Sequence, residues 1–143
     1  MNARRRSGLR LVLLAAVGTA VAVYLTLTKL AGVAPICGPS GGCETVETSA
    51  YSSVAGIPLA VFGIAFSIVI GAADLRWWLT ADRRALVLVY VLGLAGTLVE
   101  AYLVYLELFV IHAICVWCAA YGVTVVVGAI GASLSLWRTR VDP

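Results

Sequence analysis

The sequence contains very little charge. Of its 143 residues, 12% are Asp, Glu, Lys or Arg, whereas 62% are hydrophobic. A soluble domain of this length buries roughly two-thirds of the surface of its unfolded chain and needs many more polar residues to cover the rest. The scarcity of charge therefore excludes a soluble globular domain and indicates a protein that uses lipid as its solvent.

Acidic residues are fewer than basic ones, and the formal net charge is +3. This balance is weakly compatible with nucleic-acid binding. However, all nine arginines lie beside long apolar runs, where membrane topology explains them better. We expect membrane lipid around the chain and no nucleic-acid partner.

Four apolar runs are long enough to cross a bilayer as helices. They cover about residues 11–30, 57–73, 85–106 and 114–137. The first run exceeds the 7–15 apolar residues of a signal peptide, so a retained span is favoured. Pro58 suits the first turn of the second helix, where its missing N–H costs nothing. The sequence predicts a single all-α membrane domain over residues 1–143, a bundle of four transmembrane helices.

The arginines also predict which way the bundle faces. Four spans put both termini on one side, and every arginine falls on that side, at positions 4, 5, 6, 10, 76, 83, 84, 138 and 140. The other side has only Lys29, at the end of a span. By the positive-inside rule, the termini and the Asp74–Arg84 connector, with its two interfacial tryptophans, are cytoplasmic in a cell (inner) membrane.

The loop over residues 32–56 is expected on the opposite, extracytoplasmic side. Glycines and prolines surround Cys37 and Cys43, as is typical of a mobile loop. The next stretch, Glu44–Ser53, predicts a short helix at the membrane surface.

A second pair, Cys115 and Cys118, comes after a short turn at Glu107–Ala113 and opens the fourth run. Cysteines three apart share one face of a helix, and the positive end of the helix dipole favours a thiolate there. Two buried, inert cysteines are the alternative. Against that alternative, the topology places all four cysteines in the compartment where disulfides persist.

These two pairs suggest a thiol–disulfide relay. A thiolate attacks a disulfide directly, so electrons can pass between two dithiols if one can move. The pair at the bilayer edge then needs a two-electron acceptor that is soluble in lipid, and a quinone fits that description. A four-cysteine zinc site is the competing hypothesis, but six-residue spacing with Gly-Gly is poor zinc geometry. We expect no metal.

The ordered set of motifs resembles the vitamin K epoxide reductase family, in particular a bacterial homologue without a fused thioredoxin-like domain. The matching residues are Cys37, Cys43, Ser49, Gly56–Leu59, Phe62–Gly63 and Cys115–Cys118. The DsbB-like oxidases resemble the chain in function but carry their CxxC motif at the end of an earlier span, so they fit less well.

The resemblance implies a role for each cysteine. Cys37 exchanges with the dithiol of a partner, and Cys43 passes electrons inward through a transient bridge to Cys115. Cys118 faces the quinone, menaquinone or ubiquinone, and the hydroxyl of Ser49 lies over the same site. The implied partner is a separate, DsbA-like protein of thioredoxin fold on the outer side, and the implied activity supports disulfide bond formation.

The chain departs from the animal members of that family at two quinone-holding positions. Leu59 stands where they have an asparagine, and Gly122 stands where they have a tyrosine, with Tyr121 adjacent. Fewer polar clamps favour quinone reduction over epoxide reduction. Reduction of a quinone epoxide stays as one alternative, and a non-catalytic metal-binding or redox-gated tetraspan protein as another.

Four further polar residues lie near the outer end of the predicted bundle. Glu100 lies inside the third span, where a carboxylate is a functional candidate, although a hydrogen bond to a neighbouring helix or a neutral acid explains it equally well. For His112 we favour an interfacial position without a partner over a role beside Cys115. Tyr102 and Tyr105 fit an aromatic belt.

The arginine bias generates a labelling prediction. A membrane-impermeant thiol reagent, added outside intact cells whose disulfides have been reduced, should label Cys37 and Cys43. Labelling that occurs only after lysis would contradict the orientation and the extracytoplasmic function that depends on it.

Overall fold

A computed structural model describes residues 2–141 of the chain. Its five α-helices are α1 (Ala3–Ala31), α2 (Gly42–Thr48), α3 (Leu59–Thr80), α4 (Arg83–Leu106) and α5 (Val116–Val141). All except α2 are long and apolar enough to cross a membrane. The helix α1 packs against α3 and α5, and α4 packs against both of them as well. The predicted four-helix membrane bundle is confirmed.

The connector predicted at Asp74–Arg84 is too long, whereas the structure does not test the side of the membrane on which it lies. The helix α3 continues through this stretch because Asp74 and Trp77 are buried in the bundle, with 1% and 2% of their surfaces exposed. It ends at Ala81, which has a left-handed backbone conformation. Asp82 then begins α4 by accepting a hydrogen bond from the N–H of Arg84 at 2.9 Å. The real connection is therefore two residues long.

The turn predicted at Glu107–Ala113 is also different from the structure. A π-helical turn, Glu107–Ile111, follows α4 directly. The turn ends at His112, which has a left-handed backbone conformation. This wider turn carries the helix almost to the second cysteine pair.

The segment between α1 and α3, residues 32–58, is called the outer segment here. It contains more regular structure than a mobile loop. It has 3₁₀ turns at Gly38–Ser40 and Ala50–Ser52 on either side of α2, which confirms a short helix in this segment. Two antiparallel strands of two residues each, β1 (Ser53–Val54) and β2 (Ile57–Pro58), come next and form a hairpin. Pro58 therefore precedes α3 instead of lying in its first turn.

Lys29, at the end of α1, holds this outer segment onto the bundle. Its ammonium donates to the backbone carbonyl of Glu47 and, at 2.8 Å, to the hydroxyl of Ser52. Since a lysine ammonium has three donors, it can bind both acceptors at once. The segment 47–52 is thereby fixed over the end of the bundle.

The bundle is packed more tightly at the end away from the cysteines. There a buried core joins all four long helices and consists of Leu11, Ala73, Trp77, Ala85, Leu86, Val89 and Ala132. Halfway along, Gly93 allows close approach of α4 to α5, since a Cβ there would lie 3.0 Å from Ala129. The helices leave more space near the cysteines, and the candidate site lies in that space.

Candidate active site

The outer cysteine pair, Cys37 and Cys43, forms a disulfide with a Cα–Cα distance of 6.0 Å. Cys37 lies at the start of the first 3₁₀ turn and is half-buried, whereas Cys43 lies in the first turn of α2 and is fully buried. One cysteine of this pair can therefore be reached from outside, and the other faces the protein interior.

The inner pair, Cys115 and Cys118, is reduced and lies at the N-terminus of α5. The carbonyl of Cys115 accepts the N–H of Ala119 at 2.9 Å, and its sulfur accepts the N–H of Cys118 at 3.2 Å. Cys115 thus occupies the N-cap position, where a side chain usually satisfies one free N–H of the first turn. This geometry stabilises a thiolate at Cys115.

Electrostatics at Cys115, which precedes the membrane-spanning part of α5, point the same way. Hydrogen bonding from the Cys118 thiol lowers the pKa of Cys115 below its ordinary value, and the N–H of Cys118 adds to this effect. Burial and the nearby charges of Glu107 and Glu47 oppose it. These contacts therefore favour a thiolate at Cys115, with Cys118 as the hydrogen-bond donor.

The two pairs meet through a contact between their neighbours in the chain. Gly42 lies so close to the backbone of Ile114 that a Cβ on Gly42 would collide with the carbonyl oxygen of Ile114 and lie 2.9 Å from its nitrogen. Cys43 and Cys115 are the next residues of the two segments, and both are completely buried. Cys43 and Cys115 thus each lie one residue after a point where the two segments touch.

Glu107 fixes the mouth of α5 from the π-helical turn. Its carboxylate oxygen Oε2 accepts the N–H of Cys115 at 3.2 Å, and its backbone carbonyl accepts the N–H of Ala113 at 3.0 Å. The side chain is 8% exposed. Sequence reasoning missed this residue because it treated residues 107–113 as a plain turn. The signal was an acid within an otherwise apolar stretch shortly before the CxxC motif.

A cavity of about 450 Å³ begins at Cys118 and extends between the helices. Its walls are mostly apolar, and the segment around Ser52 covers its outer end. Five residues predicted from the sequence line it together, namely Ser49, Leu59, Glu100, Cys118 and Tyr121. Glu107 and Glu47 also line it, so its few polar groups are gathered near the cysteine.

The chain matches the model of the vitamin K epoxide reductase family over residues 9–134, nearly its whole length. This chain belongs to the vitamin K epoxide reductase family. Membership, together with the Cys37–Cys43 disulfide, supports a thiol oxidoreductase with membrane-spanning helices.

Two polar side chains of the cavity, those of Tyr121 and Glu100, are positioned by contacts between helices. Tyr121 donates to the carbonyl of Gly63 at 2.9 Å and shares a hydrogen bond of 3.1 Å with Ser67. Glu100 packs against Gly122, where a Cβ would lie 2.8 Å from the carboxylate. The absence of a side chain at Gly122 thus gives space to Glu100.

Ser49 is oriented by its own helix end. Its hydroxyl donates to the carbonyl of Val46 at 2.7 Å, and its own carbonyl accepts the hydroxyl of Ser52 at 2.8 Å. The hydroxyl oxygen of Ser49 keeps a lone pair for a donor in the cavity.

The other polar residues near the cysteines lie outside the cavity. His112, Tyr102 and Tyr105 are exposed, and the ring of Tyr105 lies 5.2 Å from that of Phe109. Their positions support the interfacial interpretation. Among residues 2–141, no group of three or more His, Cys, Asp or Glu side chains is placed to hold a metal ion.

The hydrogen bond between the inner cysteines generates a prediction of pH dependence. In Cys118→Ala the thiol donor is lost, so the pKa of Cys115 should rise and its thiolate absorbance near 240 nm should appear at higher pH. Cys118→Ser is the matched control, because its hydroxyl can still donate and each variant has one free thiol. Identical titration curves for the two variants would show that the Cys118 side chain does not stabilise the thiolate.

The contact at Gly42 generates a second prediction. Gly42→Ala should push α2 away from Ile114, since overpacking of this kind costs ~1–3 kcal/mol. Disulfide exchange between the two cysteine pairs should slow about tenfold or more, a loss of roughly 1.4 kcal/mol in barrier terms. The measurement is the rate at which the reduced outer pair transfers electrons to the oxidised inner pair.

Gly41→Asn is the control for this variant. Gly41 has a left-handed conformation that asparagine tolerates, and a Cβ there meets nothing within 4 Å. An equal loss in both variants would mean that the outer segment is merely sensitive to substitution.

Proposed function

We propose that this protein oxidises a dithiol partner on the outer side of the membrane and passes the electrons to a membrane quinone. The observation that carries the proposal is the position of Cys118, which lines the large apolar cavity, while Cys115 directly follows the residue that Gly42 of the outer segment contacts. This arrangement gives each of the four cysteines a different task.

The first step is exchange with the partner, a separate DsbA-like protein of thioredoxin fold. A partner thiolate attacks Cys37, which breaks the Cys37–Cys43 disulfide and releases Cys43 as a thiolate. The second partner thiol then attacks the mixed disulfide at the partner's own sulfur and frees Cys37. The partner leaves oxidised, and the outer pair has gained two electrons.

The second step moves these electrons inward. Cys43 attacks Cys115 of an oxidised inner pair, and Cys118 leaves as a thiolate. Cys37 then attacks Cys43, which restores the outer disulfide and reduces Cys115. The product has an oxidised outer pair and a reduced inner pair, the redox state that the structure has.

The cavity fits a quinone. Its volume of about 450 Å³ lies in the 300–1,000 Å³ range of small-molecule sites, and its walls are apolar with few polar groups. Ser49, Tyr121 and Glu100 would surround the head group, and Leu59 would pack on the ring. The Ser49 and Tyr121 hydroxyls already donate to backbone carbonyls, so each would have to turn before it could donate to a quinone oxygen. A bound quinone, menaquinone or ubiquinone, would supply a lipid-soluble two-electron acceptor beside Cys118.

The outer segment keeps water from this reaction. Lys29 binds Glu47 and Ser52 and so closes the cavity at its outer end. Burial raises the pKa of Glu47 above its ordinary value despite the opposing charge of Lys29. Burial of this side chain therefore makes its charged form less favourable.

Two features favour quinone reduction over reduction of a quinone epoxide. Leu59 offers no hydrogen bond, and Gly122 bears no hydroxyl, since Glu100 fills the space beside it. The expected setting is the cell (inner) membrane, with cytoplasmic termini and both cysteine pairs on the periplasmic or extracellular side, because the arginines lie at the other end.

The relay predicts that the four cysteines are not equivalent. Cys118→Ala should abolish quinone reduction with every donor, because the inner pair can no longer form the disulfide that Cys43 attacks. Cys37→Ala and Cys43→Ala should lose turnover with a protein dithiol, but a small permeant dithiol should still reduce the inner pair and sustain quinone reduction. The measurement is turnover of each variant with both donors.

Two outcomes would refute this scheme. Equal loss in all variants with both donors would indicate one structural cluster, as in a non-catalytic tetraspan protein. Quinone reduction by Cys118→Ala would mean that the acceptor binds elsewhere.

A further inference from the structure

Two buried polar atoms have no hydrogen-bond partner within the described part of the chain, and both lie near the end of the bundle opposite the cysteines. They are Oδ1 of Asp74 and Nε1 of Trp78. The two residues are four apart in α3 and therefore share one face of the helix. An unsatisfied buried polar group is unfavourable, so water is the expected partner of both.

A small cavity beside Asp74 has room for that water. Its volume is about 30 Å³, and a site of roughly 10–15 Å³ measured this way holds one water molecule. Ser67 and Thr124 also line it, so three side chains offer oxygen atoms to its contents. The other lining residues are apolar, and Asp74 itself is 1% exposed.

Ser67 links the small cavity to the large one. Its hydroxyl lies 3.1 Å from the hydroxyl of Tyr121, which lines the large cavity. Because the Tyr121 proton is donated to the carbonyl of Gly63, the Ser67 hydroxyl is the donor in this pair.

The helix α1 screens this hydroxyl pair from lipid. A Cβ at Gly18 would lie 3.3 Å from the Ser67 hydroxyl and 3.0 Å from that of Thr124. The polar groups are thus enclosed between α1, α3 and α5. With Asp74 they form a line of polar groups, interrupted by the water-sized cavity, along the interior of an otherwise apolar bundle.

We infer that this line is a proton path. It runs from the end of the bundle near Trp78, through Asp74, water in the small cavity and Ser67, to Tyr121. To pass a proton into the large cavity beside Cys118, the Tyr121 hydroxyl turns away from the carbonyl of Gly63. The inference rests on the proposed function and adds the source of the protons that it consumes. A proton path explains why an apolar bundle encloses a carboxyl group beside a water-sized cavity in spite of the cost of burying it.

The reaction balances with this assignment. Oxidation of the partner dithiol releases two electrons and two protons at the outer end. Closure of the Cys115–Cys118 disulfide delivers the two electrons to the large cavity, and reduction of a quinone there consumes two protons. If these protons arrive through Asp74, each turnover takes up protons on the side of the membrane near Trp78. It releases protons on the side of the cysteines.

The experiment uses the full-length protein in sealed vesicles that contain a short-chain ubiquinone and a pH-sensitive dye in the lumen. A reduced, impermeant CxxC peptide is added outside, so only molecules with outward-facing cysteines react. Valinomycin and potassium prevent the build-up of a membrane potential. We expect the lumen to become alkaline by up to two protons per quinone reduced, and a protonophore should abolish the signal.

Two failures can be told apart. No quinone reduction by the wild-type protein would overturn the proposed function and this inference with it. Quinone reduction without a rise in lumen pH would overturn the inference alone. Neither result depends on the folding of a variant.

Variants then test the named residues. Asp74→Asn should reduce lumen alkalinisation and turnover roughly tenfold or more, as expected when a proton-transfer group is lost, and Ser67→Ala should reduce both as well. Asp82→Asn is the matched control, because Asp82 lies at the same end of the bundle but on its surface and asparagine still caps α4. Equal rates in Asp74→Asn and the wild type would contradict the path.

A readout without turnover completes the test. In the quinone-free protein, the infrared carboxyl band that Asp74→Asn lacks should shift within minutes of transfer to D₂O, because Asp74 contacts exchangeable water. A band that stays unshifted for hours would mean that Asp74 is sealed from water and would overturn the path.

Discussion

Gly42 lies against the backbone of Ile114 with no room for a side chain, and this contact holds the outer cysteine segment on the mouth of α5. Two further interactions keep the contact in place. Lys29 fixes the end of α2 from one side, and Glu107 fixes the N–H of Cys115 from the other. Exchange between disulfides needs sulfur atoms in line, so this arrangement decides which cysteine meets which.

The bundle is packed more tightly at one end than at the other, and this difference supports the arrangement of the cysteines. Tight packing around Trp77 and Leu86 fixes the helices at one end, so they can stay apart at the other without losing their alignment. The space between them becomes the cavity at Cys118. Tight packing at the end of the bundle around Trp77 thus allows an open site at the end that carries the cysteines.

Much of the fold could be predicted from the sequence, because apolar runs of membrane length and the CxxC position are local patterns. The errors lie where tertiary contacts decide. Asp74 and Trp77 suggest an interfacial connector by their chemistry, yet neighbouring helices bury them and α3 continues. The role of Glu107 depends on a π-helical turn, which cannot be predicted from the residue types in this stretch. The grouping of Ser49, Glu100 and Tyr121 around one cavity depends on packing between distant segments, and only the family resemblance pointed to part of it.

The π-helical turn at Glu107–Ile111 makes the position of the second cysteine pair sensitive to the insertion or deletion of a single residue. A π turn holds one residue more than an α turn, and each residue added to a helix rotates the next segment of the chain by about 100°. Deleting one residue here would turn the carboxylate of Glu107 away from the N–H of Cys115. Surface loops usually tolerate insertions and deletions, but this junction between two spans should accept neither.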